Sequence, residues 1–105
     1  MTISKIKRKK NMDNKKIADS YIQKIKDLIG ILAPLQSTDE IYDRVRALVV
    51  EMQEEALKTE DEMLHPMLYN AAATIATAPE SCSVRQLSEA LNDAVTEMEL
   101  MEEYL

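Results

Sequence analysis

Phenylalanine and tryptophan are absent from this chain of 105 residues, and glycine, cysteine and histidine occur once each. Each scarcity removes something. Without Phe or Trp the core has to be built from Ile, Leu, Val, Met and Ala, with four Tyr as the only aromatics, and the seven Met favour contacts that repack easily. One glycine and three prolines are too few turn-formers for a many-stranded sandwich or barrel, and they leave no glycine-rich phosphate loop. The lone Cys82 allows no intrachain disulfide and no cysteine-based zinc site, which fits a reducing, cytoplasmic compartment. The lone histidine, His65, is far in sequence from Cys82, so catalysis has few groups to draw on; a non-enzymatic protein without cofactor is expected. No apolar run approaches the roughly 18 residues of a membrane span. The basic start MTISKIKRKKNM is followed by no apolar stretch of the kind a secretory signal carries.

What is present is helical spacing, and the expected fold is all-α: a small, mostly antiparallel bundle of four helices. Asp13 reads as an N-cap for helix 1, at about 13–33, with Ile17, Tyr21, Ile25, Leu28 and Leu32 on one stripe widened by Ala18, Ile22 and Ile29. Gly30 weakens its last turn and Pro34 ends it. Ser37-Thr38-Asp39-Glu40 has the pattern of a capping box for helix 2, at about 38–58, whose stripe is Ile41, Val45, Leu48 and Met52 flanked by Tyr42, Val49 and Ala56, with Glu51, Glu54 and Glu55 toward solvent. Thr59 and Glu62 repeat that pattern, but Pro66 would then fall inside a helix. Either helix 3 starts near Pro66 and runs to about 78, or helices 2 and 3 form one element kinked at Pro66 and the bundle has three helices. The run Ala71 to Ala76 is mostly small, so a neighbouring helix can come close. Ser83 and Gln86 form another capping box. Helix 4, at 84–103, then repeats Val84, Leu87, Leu91, Ala94, Met98, Met101 and Leu105 at alternating steps of three and four, a coiled-coil-like seam.

Charge is divided along the chain. Residues 1–26 hold nine Lys or Arg and two Asp, while the remainder holds four Lys or Arg and seventeen acids, so the formal net charge of -6 conceals a basic start and an acidic body. Residues 1–12 read as a basic disordered arm carrying Lys5, Lys7, Arg8, Lys9 and Lys10, ahead of a bundle domain at 13–105. Such an arm also suits non-specific nucleic-acid contact, although it has no interleaved aromatics and the acidic body repels a polyanion. The acids near the end of helix 4 have the wrong sign for a helix C-terminus, and Lys15 and Lys16 the wrong sign for a helix start. In an up-down bundle with an even number of helices these ends are neighbours, which sets Lys15 and Lys16 beside Glu99 and Glu103.

Two constellations bear on function. Apolar residues on helix 4 exceed what one face can bury, making Leu91, Met98, Leu100, Met101, Tyr104 and Leu105 a candidate interaction surface. The expected function is accordingly a protein–protein interaction module (a small regulator, adaptor, chaperone or inhibitor) that acts through an amphipathic helix face and self-associates. Glu62-Met63-Leu64-His65 resembles half of the carboxylate–histidine pair of ferritin-like di-iron bundles; that resemblance implies a metal site only if two chains pair their copies, with Glu51, Glu54 or Glu55 completing it. Pro66 interrupts the helical context, and His65 reads more simply as a loop or N-cap residue. Cys82, in the connector Pro79 to Ser83, reads as exposed structural filler.

Overall fold

A computed structural model describes the backbone from Thr2 to Leu105 and the side chains of residues 14–105. The side chains of the basic arm at 1–12 and of Asp13 lie outside the described ones, but the backbone is already helical from Thr2, so Asp13 falls inside α1 and is not its N-cap. The protein is an all-helical bundle of four helices, α1 (Thr2–Leu32), α2 (Tyr42–Lys58), α3 (Leu64–Ala76) and α4 (Val84–Glu102). α1 packs on α4, α4 on α3 and α3 on α2, so α4 is flanked on both sides. α2 closes back on α1 through long polar side chains: Lys24 Nζ lies 2.6 Å from Glu51 and the Tyr21 hydroxyl donates to Glu55 at 3.5 Å. These pairs run in opposite chain directions, which makes α1 and α2 antiparallel.

The core is the set of stripes that the spacing predicts. Tyr21, Ile25, Leu28 and Leu32 of α1 are buried, as are Val45, Leu48 and Met52 of α2, while Ile17 is only half-buried. α3 contributes Leu64, Met67, Leu68 and Ile75 with Ala71 and Ala72, whose small side chains let the flanking helices approach. Because α4 touches two neighbours, it buries more than a heptad seam: Ala90 and Val95 join Leu87, Leu91, Ala94 and Met98 inside. Helix packing of this kind, rather than intrinsic propensity, supplies most of the stability of helices this short.

The helix starts show where local signals held. At α4 the Ser83 hydroxyl accepts from the Gln86 amide at 3.1 Å and the Gln86 side chain accepts from the Ser83 amide at 2.9 Å, the complete capping box. At α2 the expected box does not form. Ile41 is the N-cap without a side-chain bond, because Thr38 is buried and its hydroxyl donates to the Cys82 carbonyl at 3.2 Å, while Ser37 accepts from Asp39 in a turn. Nor do Thr59 and Glu62 cap α3. Asp61 does so, its Oδ1 accepting from the amides of Met63 and Leu64 at 2.9 and 2.8 Å. Pro66 then falls in the first turn of a separate α3, between the His65 amide that donates to the Asp61 carbonyl and the Met67 amide that donates to the Met63 carbonyl, so the helix forgoes one bond there, to the carbonyl of the exposed Glu62.

The two connectors at the far end of the bundle clasp each other. Beside the Thr38 bond, the Tyr42 hydroxyl donates to the Ala78 carbonyl at 3.1 Å. Cys82, expected to be exposed, is buried: Pro79, Glu80 and Ser81 face solvent and the next residue turns inward.

Candidate functional site

The up-down connectivity brings the C-terminal end of α4 beside residues 15–26 of α1, and the charges there meet in a different register from the expected one. Lys26, not Lys15 or Lys16, bridges Glu99, at 3.4 Å with both side chains about half exposed. Lys15 instead lies close enough to Glu102 to favour its ionised form. That attraction is outweighed. A hydrogen bond shared with Asp19, partial burial, and the charges of Asp19 and Glu99 together hold the Glu102 carboxyl above the usual carboxylate range. The stagger follows from packing: the buried faces set which residues lie level, and the surface charges pair as reach allows. α4 is also tied to α3, the Thr74 hydroxyl lying 2.8 and 3.0 Å from the two carboxylate oxygens of Glu97.

Between these two polar seams runs the outer face of α4. Leu100 is 68% exposed and Tyr104, one turn on, is 70% exposed. Met101 and Leu105 are half-buried and lean on the core. Leu91 and Met98 are core residues with no exposed surface, so the candidate surface on helix 4 contracts to Leu100 and Tyr104 with the edges of Met101 and Leu105. The heptad pattern marks apolar residues without saying which side of the helix is covered, and Leu91 and Met98 sit on the covered side. Residues 93–105 contain five carboxylates, Asp93, Glu97, Glu99, Glu102 and Glu103, and no Lys or Arg. Among the described residues, Asp93 and Glu103 make no salt bridge. Thus two exposed apolar side chains lie in a carboxylate field at the negative end of a helix, a setting that favours cations.

Further exposed apolar residues, on α2 and α3, were not singled out by the sequence pattern. Val50 and Tyr69 are half-exposed and Leu57 is 76% exposed. Val50 helps to line a shallow groove of about 310 Å³ between α2 and α3, together with Tyr42, Val49, Gln53, Ile75 and Ala76. The signal was available: Val50 and Leu57 are two turns apart and fall outside the buried stripe of α2.

His65 is the second residue of α3 and not a loop residue. Its Nδ1 lies 2.7 Å from the Ala56 carbonyl, an acceptor only, so Nδ1 carries the proton. The ring also stacks on Tyr69 with centroids 6.1 Å apart. Glu62 is exposed, and among the described residues no group of three His, Cys, Asp or Glu is placed to hold a metal ion. Tyr21 is buried under Lys24, whose Nζ stands 5.0 Å from the ring centroid; burial first, and then the charges of Glu51 and Glu55, push its hydroxyl up to about 12. These groups stitch α1 to α2. No helix among the described residues is long and apolar enough to cross a membrane.

Comparison with protein-family models, with characterised proteins and with solved structures gave no match to this chain.

Proposed function

We propose that the protein is a non-enzymatic interaction module that holds a cationic, apolar-studded protein segment on the outer face of the C-terminal part of α4. The observation that carries this reading is the placement of Leu100 and Tyr104, both more than two-thirds exposed, within a stretch of five carboxylates and no basic residue. Covering either apolar side chain gains about 1.5–3 kcal/mol when burial is complete. A cation placed beside them meets the acids and also the negative end of the α4 dipole, each exposed contact adding about 0–1 kcal/mol. With two anchors and screened ion pairs, the contact is a reversible one. An apolar partner without charge would leave the carboxylates unanswered, and a polyanion would be repelled.

The test uses the full chain with Lys5, Lys7, Arg8, Lys9 and Lys10 each replaced by Gln, which keeps its own cations out of the titration. A fluorescent amphipathic peptide of Lys and Leu is titrated against it by anisotropy. Saturable binding is expected, weakened about tenfold or more by Leu100→Ser with Tyr104→Ser, a loss of about 1.4 kcal/mol. Equal binding to both proteins overturns the reading.

A further inference from the structure

The α4 surface asks for a segment rich in cations, with apolar residues among them, and this chain contains one. Residues 1–12 hold Lys5, Lys7, Arg8, Lys9 and Lys10 without a single acid, interspersed with Ile3 and Ile6. Its five cations equal in number the five carboxylates of residues 93–105. We infer that the N-terminal segment of one copy docks on the Leu100 and Tyr104 face of a second copy, and that the exchange is reciprocal; this rests on the reading of α4 given above.

Three observations choose a second copy over the chain's own α4. First, the end of α4 lies level with Lys15 and Asp19 of α1, and Glu99 with Lys26, so α1 runs on toward Thr2 at the same end that carries Leu100 and Tyr104. Second, to reach its own Leu100 the segment would have to reverse direction close to residue 14. The backbone there is one continuous helix, α1, from Thr2 to Leu32, with no turn at which it could fold back. Third, the α1 side of α4 is already occupied by the Lys26 bridge to Glu99 and by Asp19, leaving Leu100 on the face turned away from α1. A second copy meets none of these obstacles. Because donor segment and acceptor face share one end of the bundle, a two-fold arrangement end to end satisfies both contacts at once, as an isologous interface requires. As the first turns of α1, residues 2–12 span about 16 Å, close to the length of α4 from Asp93 to Glu102 that carries the carboxylates. Without the exchange the two acidic ends would repel.

Sedimentation velocity on the full chain tests this. At low salt a concentration-dependent dimer is expected, and near 1 M salt, where the screening length falls to about 3 Å, a monomer. Replacing the five arm cations with Gln, or Leu100 and Tyr104 with Ser, should each give a monomer at concentrations where the parent is dimeric. An equimolar mixture of these two variants, each supplying what the other lacks, should associate more strongly than either alone. A parent that stays monomeric at low salt, or a dimer that survives loss of the arm cations, overturns the exchange. A peptide of residues 1–12 added to the arm-neutral chain separates the two claims. Binding that depends on Leu100 and Tyr104 preserves the α4 reading even if no dimer forms, whereas absence of binding removes both.

Discussion

Leu91 and Leu100 are the same residue type on the same helix, yet the structure assigns them opposite roles, and truncating each to Ala separates those roles by free energy. Leu91 is completely buried on the inner stripe of α4, so Leu91→Ala loses the transfer energy of the removed carbons and leaves a cavity, about 2–5 kcal/mol. Leu100 is 68% exposed, so Leu100→Ala stays within about 0.5 kcal/mol in the monomer. For a domain of this size 1 kcal/mol shifts the melting temperature by roughly 4–8 °C, which puts Leu91→Ala at least about 8 °C below the parent and Leu100→Ala within a few degrees of it. Total stability is of the order of 5–15 kcal/mol, so Leu91→Ala should still fold. Thermal unfolding followed by far-ultraviolet circular dichroism, on dilute protein in high salt to suppress association, reads both. Comparable losses at the two positions would refute the division of α4 into a covered and an open face.

Glu102→Gln should raise the melting temperature at pH 7. The folded carboxyl holds its proton more tightly than the unfolded one, because of Asp19 first and burial second, so ionisation penalises the folded state above the raised value. The gain, under about 1 kcal/mol for a half-exposed side chain, should shrink as pH falls through that value and vanish below about pH 4; a variant less stable at pH 7 would contradict it. Ser83→Ala should cost about 1 kcal/mol through loss of the α4 capping box, while Ser37→Ala, which removes a single exposed turn bond, should cost less than half of that by chemical denaturation. Equal costs would contradict the assignment of the caps. Gly30→Ala should stabilise by about 0.5–1 kcal/mol, since a Cβ there meets nothing within 4 Å on an exposed helical position; a loss would mean that the last turn of α1 is not helical.

The all-helical fold and the division into four helices were legible because they rest on local signals. Apolar spacing marked every buried stripe, and the Ser83 box formed because both of its bonds join residues three apart. The failures were non-local. Thr38 has the right residue type to cap α2, but a buried carbonyl from the α3–α4 connector claims its hydroxyl. Lys26 takes Glu99 because the stagger between α1 and α4 is set by packed side chains, which no charge pattern reveals. On α4, periodicity identified apolar positions correctly but did not rank them. Only the presence of α1 on one side and α3 on the other decides that Val95 and Met98 are covered and Leu100 is open. Val50, Leu57 and Tyr69 went unread for a related reason: each directly follows a residue of the buried or half-buried stripe, Val49, Ala56 and Leu68, and adjacency in sequence does not show which of two apolar neighbours is covered.

The most direct measurement is an amide chemical-shift map of the isotope-labelled full chain, with its arm cations replaced by Gln, during titration with the peptide of residues 1–12. Shifts concentrated on residues 96–105, saturating with peptide and abolished by Leu100→Ser with Tyr104→Ser, are the predicted result. Shifts that fall instead along Val50, Leu57 and Tyr69, or that scatter over every acidic residue without saturation, would contradict the assignment of α4 as the working surface.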